Sequence, residues 1–180
     1  AQSSVYLRKW SQEEFGERAA TGVAEFYRAY FEAPARFGER EDQVLGDNYY
    51  HTLSRDLLVR LIKEDTTSPI IYLLGISGLR EYASQSAGIC REATPRWEKA
   101  RLLARQAEPL IPAARRNFFQ SHVLTQLAIH QYSNRMLMNI ADAALADSPA
   151  DKLVKLDAAI NDIQSVLDAF RAAEYGQWAG

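Results

Sequence analysis

Residues 113–146 read AARRNFFQSHVLTQLAIHQYSNRMLMNIADAALA, and this stretch decides the fold. It contains no glycine or proline, and its apolar residues point in nearly every direction around a helix. Phe118, Phe119, Val123, Leu127, Ile129, Tyr132, Met136, Leu137 and Ile140 are among them. A helix apolar on all sides belongs at the centre of a bundle, because each face needs a neighbour to bury it. Pro109 and Pro112 mark a tight break before it. Ser148-Pro149 with Asp151 supplies a cap, a first-turn proline and a first-turn acid for a last helix behind it.

Working outward, that last helix shows the cleanest apolar repeat of the chain: Leu153, Leu156, Ile160, Ile163, Leu167 and Phe170. It is expected to run to about Glu174, with Gly176 closing it. Toward the N-terminus, Ser11-x-x-Glu14 has the form of a capping box. The spacing of Phe15, Ala19, Val23, Phe26, Tyr27 and Tyr30 behind it predicts a helix of about 20 residues ended by Pro34. A second helix opens near Asp47, with Tyr50, Leu53, Leu57, Leu58, Leu61 and Ile62 as its buried side. Thr66-Thr67-Ser68-Pro69 stops it. Residues 70–91 read less clearly, with a helix from about Gly78, and Thr94-Pro95 launches a further one through Trp97, Ala100, Leu103 and Ala107. No strand alternation or repeat appears. The class is all-α: one domain over residues 1–180, a largely antiparallel bundle of about five main helices around the long central one.

Composition narrows the function. With 21 basic and 23 acidic residues intermixed, the chain lacks the basic footprint that a phosphate backbone requires, so nucleic acid is not an expected partner. The longest apolar run, Ile70–Leu79, is about half a membrane span and is interrupted by glycines. Cys90 stands alone, which excludes an internal disulfide and a cysteine-rich metal site. Ala1-Gln2-Ser3-Ser4 carries no signal-peptide pattern.

Two groups of residues could bind something. His122, Gln126, His130 and Asn134 recur at steps of four and so share one helix face, where they would either meet a polar ligand or hydrogen-bond inside the core. As a metal site the pair of histidines fails, being eight residues or about 12 Å apart along the axis. Tyr49-Tyr50-His51, with Asp47 and Arg55 one turn to either side, would form a sugar-stacking or interface surface, or else a capped helix start with a buried tyrosine. No nucleophile elbow, phosphate loop or pair of catalytic carboxylates stands out, so no catalytic residue, metal or cofactor is assigned.

Three segments together resemble a known family. Trp10-Ser11-Gln12-Glu13-Glu14-Phe15-Gly16, continuing through Ala19-Ala20 to Phe26-Tyr27-Arg28-Ala29-Tyr30-Phe31, resembles the first helix after the catalytic barrel of large bacterial glycoside hydrolases. Arg116-Asn117-Phe118-Phe119-Gln120-Ser121-His122-Val123, running on to Asn134 and Ala141, resembles a later helix of the same region. Ala173-Glu174-Tyr175-Gly176-Gln177-Trp178 resembles the junction into a following β-rich domain. The pattern is closest to the helical-bundle domain of family 115 glycoside hydrolases, the xylan α-glucuronidases. The resemblance implies a non-catalytic module of a bacterial, exported or periplasmic enzyme, buttressing the barrel and shaping one wall of a polysaccharide cleft. Its partners would be the other domains of the parent enzyme. An outer aromatic patch drawn from Tyr6, Trp10, Tyr49 and Trp178 is then expected where those domains sit. The alternative is a free-standing bundle that binds a small ligand or a protein through the His122–Asn134 face.

Overall fold

The computed structural model describes residues 2–40, 43–65 and 78–174, and among them the chain is helical, with one isolated backbone bridge, Arg36 to Val44, and no strand. Its helices are α1 (Gln2–Phe15), α2 (Glu17–Glu32), α3 (Asp47–Lys63), α4 (Leu79–Ala107), α5 (Arg116–Phe119), α6 (Gln126–Leu145) and α7 (Pro149–Ala172). The segment Gln120–Thr125 joins α5 to α6 as a π-helix. Helix α3 ends at Lys63, with Glu64 in the left-handed conformation; the stop expected at Thr66-Thr67-Ser68-Pro69, and Gly176 and Trp178, lie outside the described residues.

Side-chain pairs fix the packing directions. Between α2 and α4, Tyr30 meets Trp97, and a Cβ on Gly22 would lie 3.4 Å from that of Ala107. Cys90 and Trp97 of α4 meet Asn134 and His130 of α6. Between α6 and α7, Asp142 pairs with Lys155 and Asn139 with Asp162, and Thr125, just before α6, pairs with Ala169. In each set one number rises as the other falls, so all three pairs of helices are antiparallel. Helix α6 touches α3, α4 and α7 and forms the centre. The core it helps enclose includes Phe15, Val23, Phe26, Leu53, Leu57, Trp97, Phe119 and Leu137.

Several boundaries differ from the sequence reading, each for a physical reason. Ser11 does not start a helix: it is buried inside α1 and its hydroxyl donates to the Leu7 carbonyl at 2.7 Å. The break comes at Gly16, whose φ of 80° and ψ of 163° fall in a region open essentially to glycine alone, so α1 and α2 form a hairpin. Thr94-Pro95 does not start a helix either, because α4 runs through it. The proline ring costs the bond to the Arg91 carbonyl. One residue earlier, the Cys90 carbonyl accepts from Thr94 Oγ1 at 3.0 Å and from Asn134 Nδ2 at 2.9 Å. The guanidinium of Arg96 donates to the carbonyls of Ala33 and Pro34 at the end of α2, satisfying acceptors the helix leaves open.

On α3 the buried side holds Tyr50, Leu53 and Leu57, while Ile62 is exposed and Arg60 is buried between Asp56 and Asp65. Helix α7 starts as its sequence says, with Ser148 Oγ accepting from the Asp151 amide at 3.0 Å. Its apolar repeat, however, packs only in part against the bundle. Ala159, Asp162 and Val166 are its buried residues, and Leu153, Ile160 and Phe170 are 62%, 61% and 50% exposed.

Candidate functional site

The four-step stripe on the central helix is split among different surroundings. A step of four turns an α-helix by about 40°, and twelve residues span roughly 18 Å, so each member meets different neighbours. His122 lies on the exposed end against Phe118, ring centroids 4.1 Å apart. Its carbonyl is 3.4 Å from the Tyr27 hydroxyl, which donates to it; burial raises the Tyr27 pKa to about 12. Gln126 is exposed beside α3 and α7. His130 stacks on Trp97 at 5.4 Å and 14°, with Tyr30 edge-on to both rings. Asn134 is fully buried.

Asn134 and Tyr50, drawn from the two candidate groups, come together. Tyr50 Oη donates to Asn134 Oδ1 at 3.2 Å and accepts from the Ala35 amide at 3.2 Å. Asn134 Nδ2 reaches the Cys90 carbonyl and, at 3.4 Å, Thr94 Oγ1. The network ties the 33–46 connection, α3, α4 and α6 into one centre. Burial pushes the Tyr50 phenol and the Cys90 thiol far above their ordinary values, so both stay protonated and neither is a nucleophile at neutral pH. Its role is architectural.

The remaining candidates separate. Tyr49 is 42% exposed and packs on Phe37. Trp10 is partly buried, edge-on to Tyr27 and Phe15, and therefore belongs to an aromatic chain that continues through Phe26, Tyr30 and Trp97. Of the residues from which an outer patch is expected, Tyr6 and Tyr49 are exposed, Trp10 is partly buried, and Trp178 lies outside the described residues. Among the described residues no three His, Cys, Asp or Glu side chains are grouped to hold a metal, and no helix is long and apolar enough to cross a membrane.

Two concavities bear on binding. The crevice between α4 and α6, over Trp97 and Asn134, has a volume of about 150 Å³, below the roughly 300–1,000 Å³ of ordinary ligand pockets. The larger groove, about 570 Å³, runs between α3 and α7 with α6 as its floor. Ile129 and Met136 form the floor, Ile163, Val166, Leu167 and Phe170 one wall, and His51 and Gln126 its polar points. Sequence reasoning identified His51 and Gln126 but not the apolar wall, because an apolar repeat is ordinarily read as core. The signal was its spacing. Steps of three and four without exception are the narrow seam of a helix pair, whereas a helix lying on a globular core shows a broader stripe.

No family model, curated protein or solved structure matches the chain.

Proposed function

We propose that this chain is a non-catalytic helical module that works by docking, through the groove between α3 and α7, against another protein surface. The observation carrying this reading is the exposed seam of α7: Leu153, Ile160, Ile163, Leu167 and Phe170 lie in line beside an apolar groove. Contiguous apolar surface of this kind marks interaction sites on soluble domains. The buried Tyr50 and Cys90 and the dispersed histidines add no reactive group to weigh against it. Its place as a supporting domain of a polysaccharide-degrading enzyme, akin to family 115 glycoside hydrolases, rests on the three sequence segments that resemble that family.

The double variant Ile160→Asp/Leu167→Asp tests the docking role. The unchanged chain is expected either to bind an apolar fluorescent dye or to associate and so hide the face. The variant is expected to do neither while keeping its helical circular dichroism. A native chain that shows neither behaviour, or a variant that unfolds, overturns the reading. The small-ligand alternative on the His122–Asn134 face loses ground because those four side chains do not converge.

A further inference from the structure

Resting on that docking reading, we propose that the occupant of the α7 face is a second copy of this chain, its α7 laid antiparallel along the first. The seam Leu153, Leu156, Ile160, Ile163, Leu167, Phe170 follows steps of three, four, three, four and three, the a/d repeat of a helix pair. A two-fold axis between Asn161 and Asp162 sets Leu153 opposite Phe170, Leu156 opposite Leu167 and Ile160 opposite Ile163 of the second copy. Every layer then joins an a position to a d position, as antiparallel pairs require, with no residue left over. The surface is complementary to itself, the condition for a closed two-fold interface.

Charge and area agree with this arrangement. The solvent-side flank of the seam carries Asp157 toward the N-terminal end, Gln164 in the middle and Arg171 toward the C-terminal end. Reversing the second copy brings its Arg171 toward Asp157 and keeps like charges apart. The other flank, Ala159 and Val166, is already buried against the bundle and demands no polar partner. By helical spacing Ile62, Val59 and His51 share one side of α3, and His51 borders the groove. At the exposures of these side chains, the seam with Val59 and Ile62 offers roughly 700 Å² of apolar surface per copy, close to the roughly 800 Å² that each partner contributes to a stable interface.

Sedimentation of the 180-residue chain between about 1 and 100 µM reads the association. A dimer is expected, weakened roughly 100-fold by Ile163→Glu, which sets two carboxylates beside the two-fold axis. Orientation is read by mild oxidation of cysteine variants; the native Cys90 is buried and does not interfere. Mixing Leu153→Cys with Phe170→Cys is expected to give covalent dimers, and either variant alone few. A monomer at every concentration, a dimer indifferent to Ile163→Glu, or cross-linking of like with like overturns the proposal. A monomer that still binds the apolar dye through this face removes only the second copy and leaves the docking reading standing; one that binds no dye removes both.

Discussion

At the scale of single residues, the molecule depends most on polar groups that water cannot reach. Tyr50 Oη serves both the Ala35 amide and Asn134 Oδ1. Tyr50→Phe leaves a buried donor and a buried acceptor unmet and is expected to cost about 2 kcal/mol in a urea titration. Asn134→Ala, which also strips a donor from the Cys90 carbonyl and opens a void, should cost about 3 kcal/mol. Because the two share a bond, the double variant should lose less than the sum. Asp162 gives a pH prediction. Burial raises its carboxyl pKa, while Arg135 and the hydrogen bond from Asn139 act to lower it. A raised carboxyl binds its proton more tightly in the folded state, so its contribution falls as pH rises through the unfolded value, about 3.9, and then the folded one. Relative to Asp162→Asn, the native chain should therefore lose stability over that window, measured by unfolding at stepped pH. Asn134 was visible in the sequence as a polar residue on an apolar helix. Tyr50 was visible too, as a buried tyrosine, but their pairing across 84 residues was not, since nothing local encodes which tyrosine faces which amide.

Among the elements, the helical class and most helical spans were legible, and the joints, and with them the number of helices, were not. Gly16 separates α1 from α2 through its backbone angles, information a helical periodicity does not carry. Gly16→Ala is expected to cost about 1–3 kcal/mol, as a loss of melting temperature. The nearest side-chain atom to the added Cβ, Pro112 Cγ at 3.7 Å, makes only ordinary contact, so the loss reflects backbone strain alone. Pro95 misled in the opposite direction: α4 runs through it, and in the turn before it the Cys90 carbonyl accepts from Thr94 within the helix and from Asn134 of α6. Pro95 is exposed, and Pro95→Ala, which restores the amide facing Arg91, should stabilise the chain by about 1–2 kcal/mol in the same assay. Between α5 and α6 the π-helix changes the angular phase. Read at an unbroken 3.6 residues per turn, the apolar residues on its two sides fan around the whole helix. Ser121, whose hydroxyl donates to the carbonyls of Asn117 and Phe118, and Thr125, which donates to Ala169, are the local marks of that irregularity.

Across the whole molecule, the bundle class followed from periodicity, whereas the binding surface did not, because an apolar repeat states what is buried but not against what. On α7 Ala159, Asp162 and Val166 face the bundle, while Leu153, Ile160 and Phe170 of the apolar repeat face outward. Association through such a face should strengthen in sodium sulfate and resist moderate sodium chloride, since it relies on apolar burial more than on ion pairs. Sedimentation in the two salts checks this; weakening by sodium chloride in step with ionic strength would contradict it. The central position of α6 has a consequence during synthesis. Helices α3 and α4 leave the ribosome before the wall they pack on has been made, and the bonds to Asn134 and the stack on His130 wait for more than thirty further residues. At roughly 5–20 residues per second, the nascent N-terminal half spends several seconds with the aromatic faces of α2 and α4 uncovered, the interval in which a holding chaperone would find it.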